Sequence, residues 1–101
     1  MQKILLTGSA GFIGYHVVQR LLSLDYDVTG LDNINDYYDP QLKYHRLENT
    51  GIDPDEIEDN VLIQSKKFDN YRFIKVELSD KDTINDLFAN EEFDAVIHLA
   101  A

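Results

Sequence analysis

Three glycines in the segment TGSAGFIG, residues 7–14, constrain the fold of this chain more than any other feature. They follow an apolar run at residues 3–7 and precede apolar residues at helical spacing. Glycine permits a tight turn after a strand, and the first N–H groups of the following helix have no intrahelical acceptor. The segment therefore predicts a strand, a turn and a helix whose N-terminus can hold an anion.

Strand-like and helix-like segments alternate along the rest of the chain. Apolar runs predict four strands, at residues 3–7, 27–31, 72–76 and 95–100. Apolar spacing and capping residues predict helices from Phe12, from Asp39-Pro40 to near Gly51, from Pro54 to about Gln64, and after Ser79 or Asp80. Strands joined by helical crossovers form a parallel sheet. The predicted class is α/β, a partial Rossmann fold with a parallel sheet of about four strands and flanking helices.

The acidic residue Asp32 ends the second predicted strand, 18 residues after Gly14. A strand, three spaced glycines, a helix and this acidic residue together form the dinucleotide-binding arrangement. Asp32 would accept hydrogen bonds from the adenosine ribose hydroxyls. It would also repel a 2′-phosphate, so the predicted cofactor is NAD rather than NADP.

Each part of the glycine segment has a predicted role in that arrangement. Gly8 permits the turn, Gly11 lets a pyrophosphate approach the backbone, and Gly14 lets helix and strand pack closely. The backbone N–H groups of Phe12 and Ile13 would bind the pyrophosphate at the positive end of the helix dipole.

Composition excludes several classes of protein. The chain has 9 Lys and Arg against 19 Asp and Glu, a formal net charge of −10, which disfavours binding to nucleic acid and to anionic membranes. With no cysteine, it has neither a disulfide framework nor a zinc–thiolate site. Residues 1–7 lack the order of a signal peptide, and no stretch is long and apolar enough to span a bilayer. The expected location is the cytoplasm.

Other possible sites fail on spacing. Tyr71 and Lys75 have the Y-x-x-x-K spacing of a proton-transfer pair, but in a strand they would be roughly 13 Å apart. The acidic residues from Asp53 to Asp59 lack the glycine and the final glutamate of a calcium loop. His98, in an apolar strand, is expected to be a buried, hydrogen-bonded histidine. We therefore predict no catalytic residue and no metal site.

The segments TGSAGFIG, LDNINDYYDPQLKYHRL and VIHLAA resemble the start of an extended short-chain dehydrogenase/reductase of the NAD-dependent epimerase/dehydratase family. Residues 33–42 are similar to the UDP-glucuronate 4-epimerases within it. The resemblance adds Asn33 to the ribose site and places Glu77 and Leu78 at the adenine, although the family commonly has the shorter Asp at position 77. It also places the end of the fourth strand against the cofactor, at Leu99, Ala100 and Ala101.

The resemblance also implies an activity for the parent protein. Enzymes of this family oxidise the C4 hydroxyl of a nucleotide sugar with bound NAD⁺ and return the hydride to the other face, or use the ketone for elimination or decarboxylation. Their catalytic Ser/Thr and Tyr-x-x-x-Lys residues, and their sugar-binding domain, lie beyond the part that residues 1–101 resemble. We therefore expect residues 1–101 to be the N-terminal part of an NAD-binding domain, inactive alone, with the nucleotide sugar bound only by the parent.

Three alternatives remain open from the sequence. The chain could be a stand-alone NAD-binding module that complements a partner, a fragment of a nucleotide-sugar dehydratase or decarboxylase, or a remnant that binds no ligand. The apolar strand at residues 95–100 has no following helix to cover it, so the sequence looks cut. This strand predicts self-association through its exposed edge.

Overall fold

A computed structural model describes residues 2–35 and 40–100. Five strands and three α-helices follow one another along the chain. In order they are β1 (Lys3–Thr7), α1 (Phe12–Ser23), β2 (Asp27–Asp32), α2 (Pro40–Asn49), β3 (Leu62–Gln64), β4 (Tyr71–Lys75), α3 (Lys81–Glu91) and β5 (Ala95–His98). None of the helices in these ranges is long and apolar enough to cross a membrane.

All five strands form one sheet in the order β3-β4-β2-β1-β5. The strands β1, β2, β4 and β5 pair in parallel, with Leu6 opposite Gly30 and Ile97 in the central register. This confirms the predicted α/β class and the four parallel strands. Because these strands are parallel, their carboxyl ends lie along the same edge of the sheet.

The predicted helix from Pro54 to Gln64 is wrong. The structure has a short 3-10 helix at Pro54–Glu56 and then β3, which pairs antiparallel to β4 with Ile63 opposite Phe73. Asp53 accepts a hydrogen bond from the backbone N–H of Asp55 and so caps only this single turn. The β-branched residues Val61 and Ile63 favour the extended backbone that follows.

Apolar side chains cover both faces of the sheet, which explains the continuous apolar runs of its parallel strands. On one face Leu6, Val28 and Phe73 pack with Val18 and Leu22 of α1. On the other face the neighbouring residues Leu5, Leu31 and Ile74 pack with Leu87 of α3. The N-terminus of α3 is capped by Asp80, which accepts a hydrogen bond from the Thr83 N–H, as predicted.

The strand β5 ends two residues earlier than predicted. The Thr7 hydroxyl oxygen accepts hydrogen bonds from the N–H groups of Leu99, at 3.1 Å, and Ala100, at 3.3 Å, and the Leu99 N–H also donates to the Thr7 carbonyl. The same oxygen lies 2.6 Å from Nδ1 of His98. The prediction that His98 is buried is wrong: it forms this hydrogen bond but is exposed, because β5 is an edge strand.

Candidate cofactor-binding site

The glycine-rich loop between β1 and α1 is fixed to the end of β2. The carbonyl oxygen of Leu31 accepts hydrogen bonds from the N–H groups of Gly8, at 2.8 Å, and Ser9, at 3.2 Å. Gly11 donates to the carbonyl of Gly8 at 3.1 Å and closes the turn. Gly8 has φ = +76°, a left-handed conformation that glycine adopts without strain. These hydrogen bonds therefore tie the loop to β2 and close its turn.

Close backbone packing explains why two of these positions are glycine. A Cβ atom at Gly14 would lie 2.0 Å from the carbonyl oxygen of Gly8. A Cβ atom at Gly8 would lie 2.9 Å from the backbone nitrogen of Ala100. At Gly11 the nearest atom, the Gly8 oxygen, would be 3.3 Å away, so sterics alone exclude a methyl group less strongly there. The role predicted for Gly14 is thus explained by contacts within the protein.

The N-terminus of α1 points its free N–H groups out of this loop. The first helical hydrogen bond runs from the Tyr15 N–H to the carbonyl of Gly11, at 2.9 Å, so Phe12 and Ile13 precede it and have no acceptor within the helix. Gly11 occupies the N-cap position without a side-chain cap, and the first turn contains no acidic residue. This helix end is therefore open to an external anion.

Asp32 is buried at the end of β2, with 4% of its surface exposed. Its Oδ2 accepts a hydrogen bond from the Ala10 N–H at 3.1 Å, and its Oδ1 accepts one from the Ile34 N–H at 2.8 Å. Its Oδ1 also accepts from Lys43 Nζ at 3.0 Å. The carboxylate predicted to bind a ribose thus also joins the glycine-rich loop to β2 and α2.

Two cations of α2 contact this region, and the sequence did not predict either. Lys43 pairs with Asp32, and Arg46 donates from Nη1 to the carbonyl of Ala10 at 3.1 Å. The Arg46 guanidinium carbon also lies 5.9 Å from the centre of the Phe12 ring. Lys43 and Arg46 are three residues apart and so share one face of the helix. The three-residue spacing of Lys43 and Arg46, in a segment with few other cations, was the sequence feature that could have indicated this shared basic face.

Asn33 and Glu77 lie together at the carboxyl ends of β2 and β4. Asn33 donates from Nδ2 to Oε2 of Glu77 at 3.1 Å, and its Oδ1 accepts from the Asn35 N–H. They line a groove of about 750 Å³ whose walls are mainly polar. Its lining residues are Asn33, Ile34, Asn35, Asp59, Asn60, Lys75, Val76, Glu77, Ser79 and Asp80. Leu78 is 40% exposed next to Glu77.

The end of β5 completes the site on the other side of the loop. Ala100 lies close to Gly8, since a Cβ atom at Gly8 would be 2.9 Å from the backbone nitrogen of Ala100. Leu99 is 41% exposed. Ala101 lies outside the described residues, as do residues 36–39 within the segment 33–42. The structure therefore brings the glycine loop, Asp32 and the ends of β4 and β5 to one edge of the sheet. Tyr71 and Lys75, in contrast, are the two ends of β4.

The buried phenol of Tyr71 lies beside the glycine-rich loop. A Cβ atom at Gly30 would lie 2.5 Å from the Tyr71 hydroxyl and 2.7 Å from the Ser9 hydroxyl, which places these two groups around the same glycine. Burial raises the pKa of Tyr71 above its ordinary value, and the charge of Asp32 acts in the same direction. The neighbouring hydroxyls of Ser9 and Thr50 oppose these effects on the pKa.

The raised pKa of Tyr71 predicts a loss of stability in alkali. The unfolded chain releases this proton near pH 10 and the folded chain retains it, so the free energy of unfolding falls as pH rises through and above about 10. Urea unfolding of wild type and Tyr71→Phe at pH 8 and at about pH 11 measures the difference. We expect the wild type to lose more stability than the variant over this interval. Equal losses would show that Tyr71 does not carry the effect.

These residues fit a dinucleotide better than other ligands. The open N-terminus of α1 suits an anion, a buried carboxylate lies at the end of β2, and the next residue, Asn33, lines the polar groove. Among the described residues no group of three or more His, Cys, Asp or Glu side chains could hold a metal ion. The site therefore offers backbone N–H groups to an anion and one buried carboxylate to a hydrogen-bond donor.

Comparisons with known proteins identify relatives of this chain. The chain is 43% identical over 94 residues to an uncharacterized 37.6 kDa protein of Escherichia coli O111:H-. The match covers 93% of this chain and 23% of that protein. It is 37% identical over 101 residues to a UDP-glucuronate 4-epimerase of Thermodesulfobacterium geofontis, covering all of this chain and 27% of the relative. The chain thus spans about a quarter of the length of these relatives.

A solved structure and a family model give the same result. The UDP-glucuronic acid 4-epimerase of Bacillus cereus, solved in complex with UDP-glucuronic acid and NAD, superposes with a TM-score of 0.72 at 30% identity. The match covers 99% of this chain and 26% of that one. The model of the NAD dependent epimerase/dehydratase family matches residues 4–101. The chain therefore belongs to the NAD dependent epimerase/dehydratase family.

Proposed function

We propose that residues 1–101 form the N-terminal part of the NAD-binding Rossmann domain of a nucleotide-sugar epimerase. The observation that carries this proposal is the junction between Asp32 and the glycine-rich loop. A dinucleotide needs the helix N-terminus and the ribose carboxylate at a fixed separation, and the hydrogen bond from Ala10 to Asp32 fixes it. The solved relative from Bacillus cereus holds NAD on the same fold.

The residues of this chain would hold the adenosine half of NAD. The N–H groups of Phe12 and Ile13, beside Gly8, Gly11 and Gly14, would bind the pyrophosphate. Asp32 and Asn33 would bind the ribose, and Glu77 with the Leu78 backbone would bind the adenine. Leu99, Ala100 and Ala101 would line the cofactor on the far side of the loop.

The parent reaction we propose is epimerisation at C4 of a UDP-sugar such as UDP-glucuronate. Bound NAD supplies the hydride-transfer chemistry of such a reaction. This chain would orient the cofactor, and the catalytic residues and sugar-binding domain would belong to the remainder of the parent. The 37% identity to a UDP-glucuronate 4-epimerase favours this reaction over dehydration or decarboxylation.

Calorimetric titration with NAD⁺ tests the proposal directly. We expect saturable binding of one NAD⁺ per chain. Because the assigned contacts are to the adenosine half, ADP-ribose should bind about as well as NAD⁺, and nicotinamide mononucleotide should not bind. A folded sample that gives no heat with NAD⁺ or ADP-ribose at millimolar concentration would contradict the proposal.

A second candidate function is a module that pairs with another chain through β5. This strand is at the edge of the sheet; its residue Val96 is 48% exposed, and Leu99, just after the strand, is 41% exposed. Unpaired edges with apolar side chains favour association. We expect the wild type to sediment as a dimer or larger species and Val96→Lys to shift it towards monomer in sedimentation velocity. A wild type that is monomeric at high concentration would contradict this expectation.

We also propose that the chain binds neither nucleic acid nor membranes and that it is located in the cytoplasm. The net charge of −10 opposes binding to nucleic acid and to anionic membrane surfaces. A chain without cysteine that acts on a soluble cofactor is consistent with the cytoplasm.

A further inference from the structure

His98 forms a hydrogen bond whose direction is decided by the groups around it. Its Nδ1 lies 2.6 Å from the hydroxyl oxygen of Thr7, the residue opposite it in the pairing of β1 and β5. We propose that His98 is a positioning residue of the cofactor site, whose neutral imidazole accepts the Thr7 hydroxyl proton and so keeps Leu99 and Ala100 beside the glycine-rich loop. The inference rests on the proposed function, because it concerns residues that would line the same cofactor.

The hydroxyl oxygen of Thr7 has both of its acceptor positions in use. A hydroxyl has one O–H donor and two lone pairs. The N–H groups of Leu99, at 3.1 Å, and Ala100, at 3.3 Å, donate to this oxygen, and Leu99 shares its N–H with the Thr7 carbonyl. Thr7 is 3% exposed, so water has little access to the hydroxyl. The hydroxyl proton therefore points to Nδ1 of His98, which accepts it.

This direction fixes where His98 carries its own proton. A neutral imidazole nitrogen that accepts a hydrogen bond has no hydrogen, so the proton of the ring is on Nε2. In the protonated ring both nitrogens are donors. Three donors would then approach the Thr7 oxygen, which has two lone pairs, and the hydroxyl proton would lose its acceptor. His98 is exposed, so solvent protons reach the ring and can break this set of hydrogen bonds.

The N–H of Ala100 connects this set to the cofactor site. A Cβ atom at Gly8 would lie 2.9 Å from the backbone nitrogen of Ala100 and 3.0 Å from the carbonyl carbon of Leu99. Both residues thus lie against the turn at which the loop begins, and Thr7 directly precedes that turn. When the hydroxyl no longer accepts, Ala100 is released from Thr7 and Leu99 keeps the bond to the Thr7 carbonyl.

The other charged groups near His98 are carboxylates and ammonium groups. Because side chains alternate along strands, Thr7 and His98 lie on the face that carries Leu5 and is covered by α3. The charged side chains of β1, of α3 and of the segment before β5 are Lys3, Lys81, Asp82, Asp86, Glu91, Glu92 and Asp94. Such groups ordinarily keep their charge between about pH 5.5 and 8, whereas imidazole changes it. A change in binding over this interval therefore reports on histidine.

A background variant isolates His98 from the other two histidines. His16 and His45 are exposed, and His16 lies beside Phe12 at the helix N-terminus, where its charge would act on an anion directly. Calorimetric titration of His16→Gln/His45→Gln with NAD⁺ at pH 8 and at about pH 5.5 is the test. We expect a dissociation constant about tenfold higher at the lower pH, the size of one or two lost hydrogen bonds. Circular dichroism at both pH values checks that the chain is folded.

Further substitutions in this background separate the hydrogen bond from the bulk of the side chains. His98→Asn keeps an acceptor and does not titrate, so it should bind NAD⁺ nearly as tightly as the background at pH 8 and equally well at both pH values. His98→Leu removes the acceptor and should bind about tenfold more weakly at both. Thr7→Val, which keeps the shape without the hydroxyl, should abolish the pH dependence, whereas Thr7→Ser should retain it.

Nitrogen-15 NMR of the background variant without ligand gives the tautomer directly, and we expect the proton on Nε2 at pH 8. A proton on Nδ1, or the same dissociation constant at both pH values, would overturn the inference and leave the proposed function intact. A folded background variant that binds no NAD⁺ at pH 8 would overturn the proposed function and the role of His98 together. The tautomer and the pH profile of the background decide the matter even if a variant at Thr7 or His98 does not fold.

Discussion

Replacing Gly14 by alanine should strongly destabilise this chain. The new methyl carbon would lie 2.0 Å from the carbonyl oxygen of Gly8 and 2.8 Å from its carbonyl carbon, and both are backbone atoms of the glycine-rich loop. Because the loop is held to Leu31, α1 and β1 must separate to admit the methyl group. We expect a cost of about 3 kcal/mol or more, at the upper end for overpacking. Urea unfolding followed by circular dichroism measures it.

The same substitution at Gly11 provides the matched control. Gly11 has φ = −71°, which any residue adopts, and the nearest atom to its added methyl would be 3.3 Å away. We expect Gly11→Ala to cost about 1 kcal/mol or less, chiefly as a poorer N-cap. If the pyrophosphate binds at this helix N-terminus as proposed, the methyl group should also weaken NAD⁺ binding. Equal destabilisation by the two substitutions would contradict the packing role of Gly14.

Replacing Asp32 by alanine should destabilise the chain by about 3–5 kcal/mol, the usual cost of breaking a buried ion pair from one side. The variant leaves the N–H groups of Ala10 and Ile34 without their acceptor and leaves Lys43 without its partner. Unfolding in urea near neutral pH gives the value. The expected loss of NAD⁺ binding then has two sources, the missing ribose contact and the loosened loop.

Asp32→Asn separates these contributions. The amide oxygen can still accept from the Ile34 N–H, while the contact with Ala10 and the negative charge are lost. We expect a destabilisation of about 1–3 kcal/mol, between wild type and Asp32→Ala, as for one unsatisfied buried donor. A stability of Asp32→Ala within about 1 kcal/mol of wild type would show that the junction contributes little to the fold.

The sequence was most informative where structure is local. The strand β1 has the predicted bounds, α1 begins at Phe12 as expected, and Asp32 ends β2. Each of these features depends on residues within one turn or one strand, such as the left-handed Gly8 between an apolar run and an amphipathic helix. The four parallel strands were predicted from the alternation of strand-like and helix-like segments.

Long-range docking was not predictable in the same way. Whether Ile63 extends as a strand depends on the edge of β4, which accepts it opposite Phe73. Lys43 and Arg46 contact Asp32 and Ala10, 11 and 36 residues earlier in the chain, and these contacts depend on how α2 lies against the loop. No spacing within α2 identifies those partners.

The two edge strands of the sheet, β3 and β5, differ in how readily another strand pairs with them. The strand β3 has three residues and follows an acidic segment, and short strands with charged neighbours are poor templates for another strand. The β3 edge of the sheet is thus a poor site for pairing with another strand. At the opposite side β5 has four residues, parallel pairing on its inner edge only, and exposed apolar side chains. Of the two edges that the described residues form, β5 is therefore the one beside which another strand, whatever its origin, pairs more readily.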